Sequence, residues 1–332
     1  MSTIIQTDEA IVQRLEAAAE RVQRAHKAAA SVIFGQDEVI ERTMITILAG
    51  GHALLIGVPG LAKTLLVETL GRVLGLEAKR IQFTPDLMPS DIIGAEVLED
   101  TPGQRRSFRF IKGPIFTQLL MADEINRASP KTQSALLQAM QEHHVTVAGA
   151  RHDTPVPFHV LATQNPLEQE GTYPLPEAQL DRFLLEIDVT YPDLAAERRM
   201  LYATTGTEER KVEAVLSAAD LMAIQRLVRQ IPVADKVVEA ILKLVRSARP
   251  GTGANAETDR FVAWGPGPRA SQALMLAVRA KALIEGRLAP SVEDVVALAE
   301  PVLKHRMALS FAARAEGQDL SAIIARLARA VE

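Results

Sequence analysis

The chain has 332 residues, 48% of them hydrophobic and 4% aromatic, with no cysteine and a formal net charge of −4. That length suits one large domain plus a smaller one, and the lack of cysteine excludes a disulfide scaffold, a Cys metal site or a thiol nucleophile and points to the reducing cytoplasm. No apolar run approaches the ~20 residues of a membrane helix, and the acidic total gives no global electrostatic case for nucleic acid.

In chain order, Ile11, Leu15, Ala18, Ala19 and Val22 recur at helical spacing and predict an amphipathic helix over residues 8–30. The first thirty residues hold no signal-peptide apolar segment. Ile33-Phe34-Gly35-Gln36 then breaks the chain before a second helix through Val39, Ile40, Met44 and Leu48. This apolar-Gly-Gln step reads equally as an adenine-pocket wall and as a plain helix–helix turn.

Ala53-Leu54-Leu55-Ile56 reads as a buried parallel strand, and it runs into Gly57-Val58-Pro59-Gly60-Leu61-Ala62-Lys63-Thr64 and then a helix through Leu65 and Leu66. Strand, glycine turn, Lys-Thr and helix is the order a phosphate-binding loop requires. Glycines 57 and 60 let backbone N–H groups surround an anion, and the helix start aims its positive end at the same charge. In that reading Lys63 reaches the β- and γ-phosphates, and the Thr64 hydroxyl holds Mg2+. The usual pattern has Gly where Ala62 stands, which keeps an ordinary strand-to-helix turn as the competing reading.

Residues 79–83 read as a second strand. Residues 84–114 are too long for a plain connection and predict an inserted small hairpin. Residues 116–122 form the next buried strand, ending in Asp123-Glu124, and a helix is expected over 130–142. Residues 145–147 and 156–158 predict a second hairpin across a Gly-Ala-Arg-His-Asp turn. Residues 160–163 and 184–189 complete the strands, and Tyr191-Pro192 reads as a linker. From Ala195 onward the apolar stripes are helical, interrupted by a loop over 249–268, and are best read as the core of a helical lid.

A buried strand delivering two carboxylates at its C-terminal end places them where ligands sit in an open parallel sheet. Asp123 is the candidate for the Mg2+ shell, and Glu124 for polarising the water that attacks the γ-phosphate. Asn165, at a neighbouring strand tip, offers a neutral amide to orient that water, although a strand-end Asn is also a common turn former. Arg182, just before the last strand, and Arg269, at the head of a lid helix after Pro-Gly-Pro, are candidates to stabilise transition-state charge. An arginine of that kind can come from a neighbouring subunit.

The specific stretches are the phosphate loop from Gly57 to Thr64, Asp123-Glu124-Ile125-Asn126-Arg127-Ala128, the run Pro130-Lys131-Thr132-Gln133-Ser134-Ala135, Ala162-Thr163-Gln164-Asn165-Pro166, and Leu180-Asp181-Arg182-Phe183. On these the chain resembles the MoxR family of AAA+ ATPases, from about Phe34 to the C-terminus, and Ala62 is the form that family shows. The resemblance implies an α/β P-loop fold, with a parallel-sheet nucleotide-binding domain over 1–192 and a smaller all-helical lid over 193–332. It places Lys63 and Thr64 in Walker A, Asp123 and Glu124 in Walker B, sensor 1 at Asn165, an arginine finger at Arg182 and sensor 2 at Arg269. Arg127 stands as an alternative finger. The implied nucleotide-binding set is Gly35, Gln36, Gly57, Val58, Pro59, Gly60, Leu61, Ala62, Lys63, Thr64, Leu65 and Arg269, with ATP and Mg2+ as cofactors.

The resemblance further implies a helix-2 insert over 84–114, a pre-sensor-1 hairpin over 145–158 and a homo-oligomeric, hexameric ring. The ring would act as a chaperone on client protein complexes, often with a von Willebrand A-domain partner, and both hairpins are expected to contact the client. Three readings compete with it. One is a metal-chelatase ATPase subunit, and another is a nucleotide-dependent scaffold without turnover. The third is a nucleic-acid motor, for which Arg105, Arg106, Arg109 and Lys112 speak, and against which stand Glu96, Glu99, Asp100 and the acidic total.

Overall fold

The computed structural model describes residues 2–99, 107–168, 171–205 and 212–332. Two long helices, α1 (Ser2–Ala30) and α2 (Asp37–Leu48), lead into β1 (Ala53–Ile56), and α3 (Lys63–Val73) follows the phosphate loop. Then come β2 (Ala78–Gln82), the short α4 (Pro89–Ile93) and an antiparallel pair, β3 (Gly94–Glu99) with β4 (Ser107–Lys112). The insert therefore contains the expected hairpin. Asp100, Arg105 and Arg106 lie outside the described residues.

The next elements are β5 (Leu119–Asp123), α5 (Pro130–Glu142), the hairpin β6 (His144–Val147) and β7 (Ala150–Asp153), β8 (His159–Gln164), α6 (Glu177–Leu180) and β9 (Leu185–Asp188). Two expectations need correction. The strand expected over 116–122 begins only at Leu119, because the preceding residues turn: the Thr117 hydroxyl donates to the Glu77 carbonyl at 2.7 Å. The second hairpin closes much earlier than expected. Val147 pairs with Ala150, which leaves Ala148-Gly149 as a two-residue loop with φ of 49° and 83°. Positive φ at both central residues is the type I′ geometry that matches strand twist, so Arg151, His152 and Asp153 are strand rather than turn.

Among the described residues the central sheet has five strands in the order β2-β5-β8-β1-β9, all parallel. All of β5 is buried, as is β8 up to Thr163, which fits the apolar runs a parallel sheet covered on both faces requires. Edge strand β2 is different: only Ile81 is buried. Because β8 lies between β5 and β1, the C-terminal tips carrying Asp123, Asn165 and the phosphate loop stand side by side. Gly57 N–H donates to the Gln164 carbonyl at 3.2 Å, which fixes the loop's departure point. A Cβ on Gly57 would come within 2.6 Å of the Val189 carbonyl oxygen, so only glycine fits there.

The remaining chain is helical: α7 (Leu194–Thr204), α8 (Ala218–Val228), α9 (Asp235–Ser247), α10 (Ala256–Phe261), α11 (Pro268–Ile284), α12 (Val292–Leu303), α13 (Phe311–Ala315) and α14 (Leu320–Arg329). The loop expected over 249–268 contains α10 and a strand, β10 (Val262–Trp264), which pairs with β11 (Ala308–Leu309). Asn255 accepts from Thr258 N–H at 3.0 Å and caps α10, a start signal set among loop-like glycines.

Buried Arg306 fastens the lid to the sheet. Its guanidinium donates to Asp181 Oδ1 (2.7 Å) and to the carbonyls of Phe183 (2.5 Å), Leu184 (3.2 Å) and Val302 (2.6 Å).

A second lid contact is sensitive to pH. Burial pushes the Glu186 carboxyl up to about 7, against the pull of Lys304, whose Nζ is 3.8 Å away. Its ordinary value is 4.5. The folded chain therefore keeps a proton that the unfolded chain releases between about pH 4.5 and 7, and stability falls as pH rises through that window. Glu186→Gln should match wild type near pH 4.5 and be more stable by up to ~3 kcal/mol at pH 8. Urea denaturation at the two pH values checks this, and an equal effect at both refutes it.

Candidate functional site

A cavity of about 590 Å3 opens at the C-terminal tips of β1, β5 and β8. Pro59, Gly60, Leu61, Ala62, Lys63, Thr64 and Leu65 form one wall, and Asp123, Glu124, Thr163 and Asn165 face them. Val32, Ile33, Phe34 and Met200 make an apolar end suited to a purine base, with Thr204 beside them. Gly35 and Gln36, expected in the adenine pocket, directly follow Phe34 and are not among the residues that line this cavity. Gln36 is buried and donates to the Thr190 carbonyl at 2.8 Å. A Cβ on Gly35 would lie 2.5 Å from the Ala196 side chain. Both residues hold the linker that carries α7 over the site.

Lys63 Nζ donates to its own loop, to the carbonyls of Gly57 at 2.7 Å and Val58 at 2.9 Å. These two residues thus hold the lysine at the start of the loop. Burial lowers the Lys63 pKa, while Asp123 and Glu124 pull it upward. Ala62 has φ 57° and ψ 22°, a left-handed conformation that glycine adopts without cost and alanine does not. The departure from the usual loop is therefore a real conformational cost. Ala62→Gly should leave nucleotide affinity unchanged and raise stability by up to ~1 kcal/mol, since the glycine's extra unfolded-state entropy offsets part of the relief; denaturant titration with and without ATP reads both.

Asp123 is buried, and both of its oxygens are engaged. Thr163 Oγ1 donates to Oδ1 at 2.5 Å, and Arg80 donates to Oδ2 through Nε at 3.1 Å and Nη2 at 2.6 Å. The Thr163 hydroxyl also accepts from Glu124 N–H at 2.9 Å, so one β8 hydroxyl sets the positions of both acids. Glu124 has φ 54°, an uncommon conformation for a non-glycine residue and one that concentrates at functional sites. Its Oε2 accepts from Gln82 Nε2 at 2.8 Å and from Arg127 Nη1 at 3.0 Å. Arg127 is thus engaged by Glu124 of its own chain. Asn165 Oδ1 accepts from Leu167 N–H at 3.1 Å, so the turn-forming role is present, while the residue also faces the cavity.

The two cationic candidates are elsewhere. Arg182 and Arg269 line a separate surface pocket with Asp181, Arg229, His143 and Arg306, and neither reaches the phosphate-loop cavity of its own chain. Arg182 donates to the Leu137 carbonyl at 2.5 Å, while its Nε is buried with no partner. Arg269 lies 3.9 Å from Asp181.

Residues 52–185 match the family model described as ATPase family associated with various cellular activities (AAA), and residues 255–327 match an AAA lid domain. The chaperone MoxR1 of Mycobacterium tuberculosis is 42% identical over 318 residues, which is 96% of this chain and 83% of that protein. The protein MoxR of Methylorubrum extorquens is 32% identical over 93% of this chain and 92% of its own length. The chain belongs to the MoxR family of AAA+ ATPases. The crystal structure of a candidate ATPase from Cytophaga hutchinsonii superposes with a TM-score of 0.89 at 37% identity, over 98% of this chain and 97% of that one. Residues 255–327 thus form an AAA lid domain, and the family is one of nucleotide-binding ATPases.

Arg80, Gln82 and Met200 were not anticipated from sequence, although Arg80 and Gln82 stand two apart on one strand and so share a face. Thr163 did carry a signal, as a hydroxyl directly after the apolar run Val160-Leu161-Ala162 of β8. Of the basic residues expected to favour a nucleic-acid role, Arg109 and Lys112 are among the described residues of the insert. Its Arg109 lies 3.4 Å from Glu99, which offsets that charge within the hairpin.

Proposed function

We propose that this chain hydrolyses ATP as a homo-oligomeric, hexameric ring and uses the cycle to remodel or mature client protein complexes. Lys63, Thr64, Asp123, Glu124 and Asn165 serve the nucleotide bound in their own subunit. Arg182 and Arg269 serve the nucleotide of the neighbouring one. The observation that carries this is the separation of the two pockets: the cavity holds loop, metal carboxylate, base and amide but neither of the two candidate arginines, which line another face.

The donor set fits Mg2+. This cation takes few protein ligands and keeps water and phosphate oxygens in its shell, and Thr64 and Asp123 supply one hydroxyl and one carboxylate. In Asp123, moreover, a buried carboxylate is already neutralised by a cation, Arg80. When bound, Mg2+ offsets the charge of the phosphates. Lys63 leaves its loop carbonyls for the β- and γ-phosphates, Glu124 takes the proton of the attacking water, and Asn165 orients that water.

Client remodelling is supported by the description of the Mycobacterium tuberculosis relative as a chaperone. A von Willebrand A-domain partner and a cytoplasmic location belong to the same reading. Residues 1–192 act as the nucleotide-binding domain and 193–332 as the lid that carries Arg269. Among the described residues no helix is long and apolar enough to cross a membrane.

The test is ATPase rate per subunit against protein concentration, with mass by light scattering alongside. Rate should rise as the ring assembles. A rate independent of assembly refutes the shared site, and an assembled ring without turnover points to the scaffold.

A further inference from the structure

The pocket that holds Arg182 and Arg269 contains more cations than those two. Arg229 and Arg306 line it as well, and among the described residues Asp181 is its one acid. That acid is already taken: Arg306 donates to its Oδ1 at 2.7 Å, and Arg269 lies 3.9 Å from its Oδ2. Arg229 is exposed at the C-terminal end of α8, where a helix dipole alone favours a cation. Arg279 has no such support. It stands on α11, which packs against α8, and its Nε is buried without a hydrogen-bond partner. Burial lowers its pKa, and the like charge of Arg229 lowers it further. Among the described residues neither arginine has a carboxylate partner. A buried donor beside a like charge is costly, and an incoming carboxylate offsets both effects.

Position decides which anion. Arg269, Gln272, Leu276 and Arg279 recur at steps of three and four, so they share one face of α11, and the first three line the pocket. Ten residues of helix span ~15 Å. A phosphate seated on Arg182 and Arg269 therefore occupies one end of this basic strip and leaves Arg229 and Arg279 at the other, facing the neighbour's surface. The chain carries a formal net charge of −4, so a second copy presents an acidic excess to the strip.

We propose that Arg229 and Arg279 form a docking site for a carboxylate side chain of the neighbouring copy, continuing the face on which Arg182 and Arg269 meet that copy's nucleotide. One carboxylate has two oxygens and can accept from both guanidiniums. The contact adds to assembly, not to the chemistry. It rests on the reading of the chain as a ring with shared sites.

The test is light-scattering mass against protein concentration with ATP, in a Glu124→Gln parent chain where ATP stays bound. Arg279→Gln should raise the half-assembly concentration about fivefold, the scale of a partly exposed ion pair, and Arg229→Gln by a similar factor. The double variant should raise it little more than either single one, because both arginines serve one carboxylate. Arg279→Lys, which keeps the charge, should lie between the parent and Arg279→Gln. Raising NaCl from about 50 to about 500 mM should weaken assembly more in the parent than in the double variant. If Arg279→Gln does not fold, the exposed Arg229→Gln carries the test. A residue that only braced α8 on α11 would instead lower the urea midpoint of the dilute subunit. Unchanged assembly in both single variants, or fully additive effects, overturns the proposal. Unchanged assembly with a raised half-saturating mant-ATP also overturns it and assigns the pair to the neighbour's phosphates. If the parent does not assemble with ATP, the ring reading fails and this contact with it. If the parent assembles and Arg182→Ala abolishes turnover while both glutamine variants assemble normally, only this contact fails.

Discussion

Glu124→Gln is expected to lower kcat for ATP hydrolysis by roughly 10^2- to 10^4-fold, the range for removing a general base, while ATP still binds. Glutamine has nearly the same shape and can still accept a hydrogen bond from Gln82, so the strained backbone at 124 and the β8 contact through Thr163 have no reason to move. What it cannot do is take a proton from water. The phosphate loop and Thr64 are untouched, so affinity for mant-ATP should stay within a few-fold of wild type, and the ring should persist with ATP trapped. Phosphate release at saturating ATP, read beside nucleotide binding and light scattering, checks all three. A variant that turns over within tenfold of wild type removes Glu124 from its role. One that loses binding as well as turnover shows that the tie to Gln82 and Arg127 is structural.

Much of this site was legible because its chemistry is written in contiguous residues. The phosphate loop is an apolar strand, two glycines and Lys-Thr in fixed order, and Asp123-Glu124 terminates a run of buried residues. The order of such elements constrains a parallel sheet strongly, since each strand must be buried on both faces and its tip is the only polar exit. What the sequence could not show is how side chains far apart in the chain meet. Arg80 and Gln82 belong to an edge strand with little burial to mark it, and their partners lie some forty positions later, as set by the register Gln82↔Asp123. The early closure of the second hairpin was hidden because Ala148 adopts positive φ where Asn or Asp would have announced the turn. Gly35 and Gln36 were ambiguous for a related reason. A conformationally special glycine beside an amide fits a ligand contact and a packing contact equally, and the packing partners, Ala196 and the Thr190 carbonyl, lie some 160 positions away in the chain. Arg269 shows the limit for the lid: its position at the head of α11 was readable, but the face it reaches depends on how Arg306 seats the lid on the segment between α6 and β9.

That seating leads to the largest expected effect. Arg182→Ala should reduce ATP hydrolysis by about 10^3- to 10^5-fold in an assembled ring, the scale reported for removing a transition-state arginine. The loss should occur although Arg182 makes no contact with its own subunit's cavity. Complementation decides whether it acts across the interface. Glu124→Gln and Arg182→Ala subunits are each expected to be nearly inactive alone. In a randomly mixed ring, an interface works when an Arg182→Ala subunit contributes the base and a Glu124→Gln neighbour contributes the arginine, which is about a quarter of the interfaces at equal proportions, one half times one half. Mixing should therefore recover up to roughly a quarter of wild-type turnover, and recovery should vanish when both substitutions are placed in the same chain and mixed with either single variant. If Arg182 instead served its own subunit, no interface in the mixture would be complete and activity would stay at the level of the separate variants. The same mixture made with Arg269→Ala places the lid arginine independently. Recovery there assigns it to the neighbour's nucleotide, as the pocket it shares with Arg182 implies, whereas no recovery means that the lid must swing Arg269 back over its own phosphate loop during the cycle.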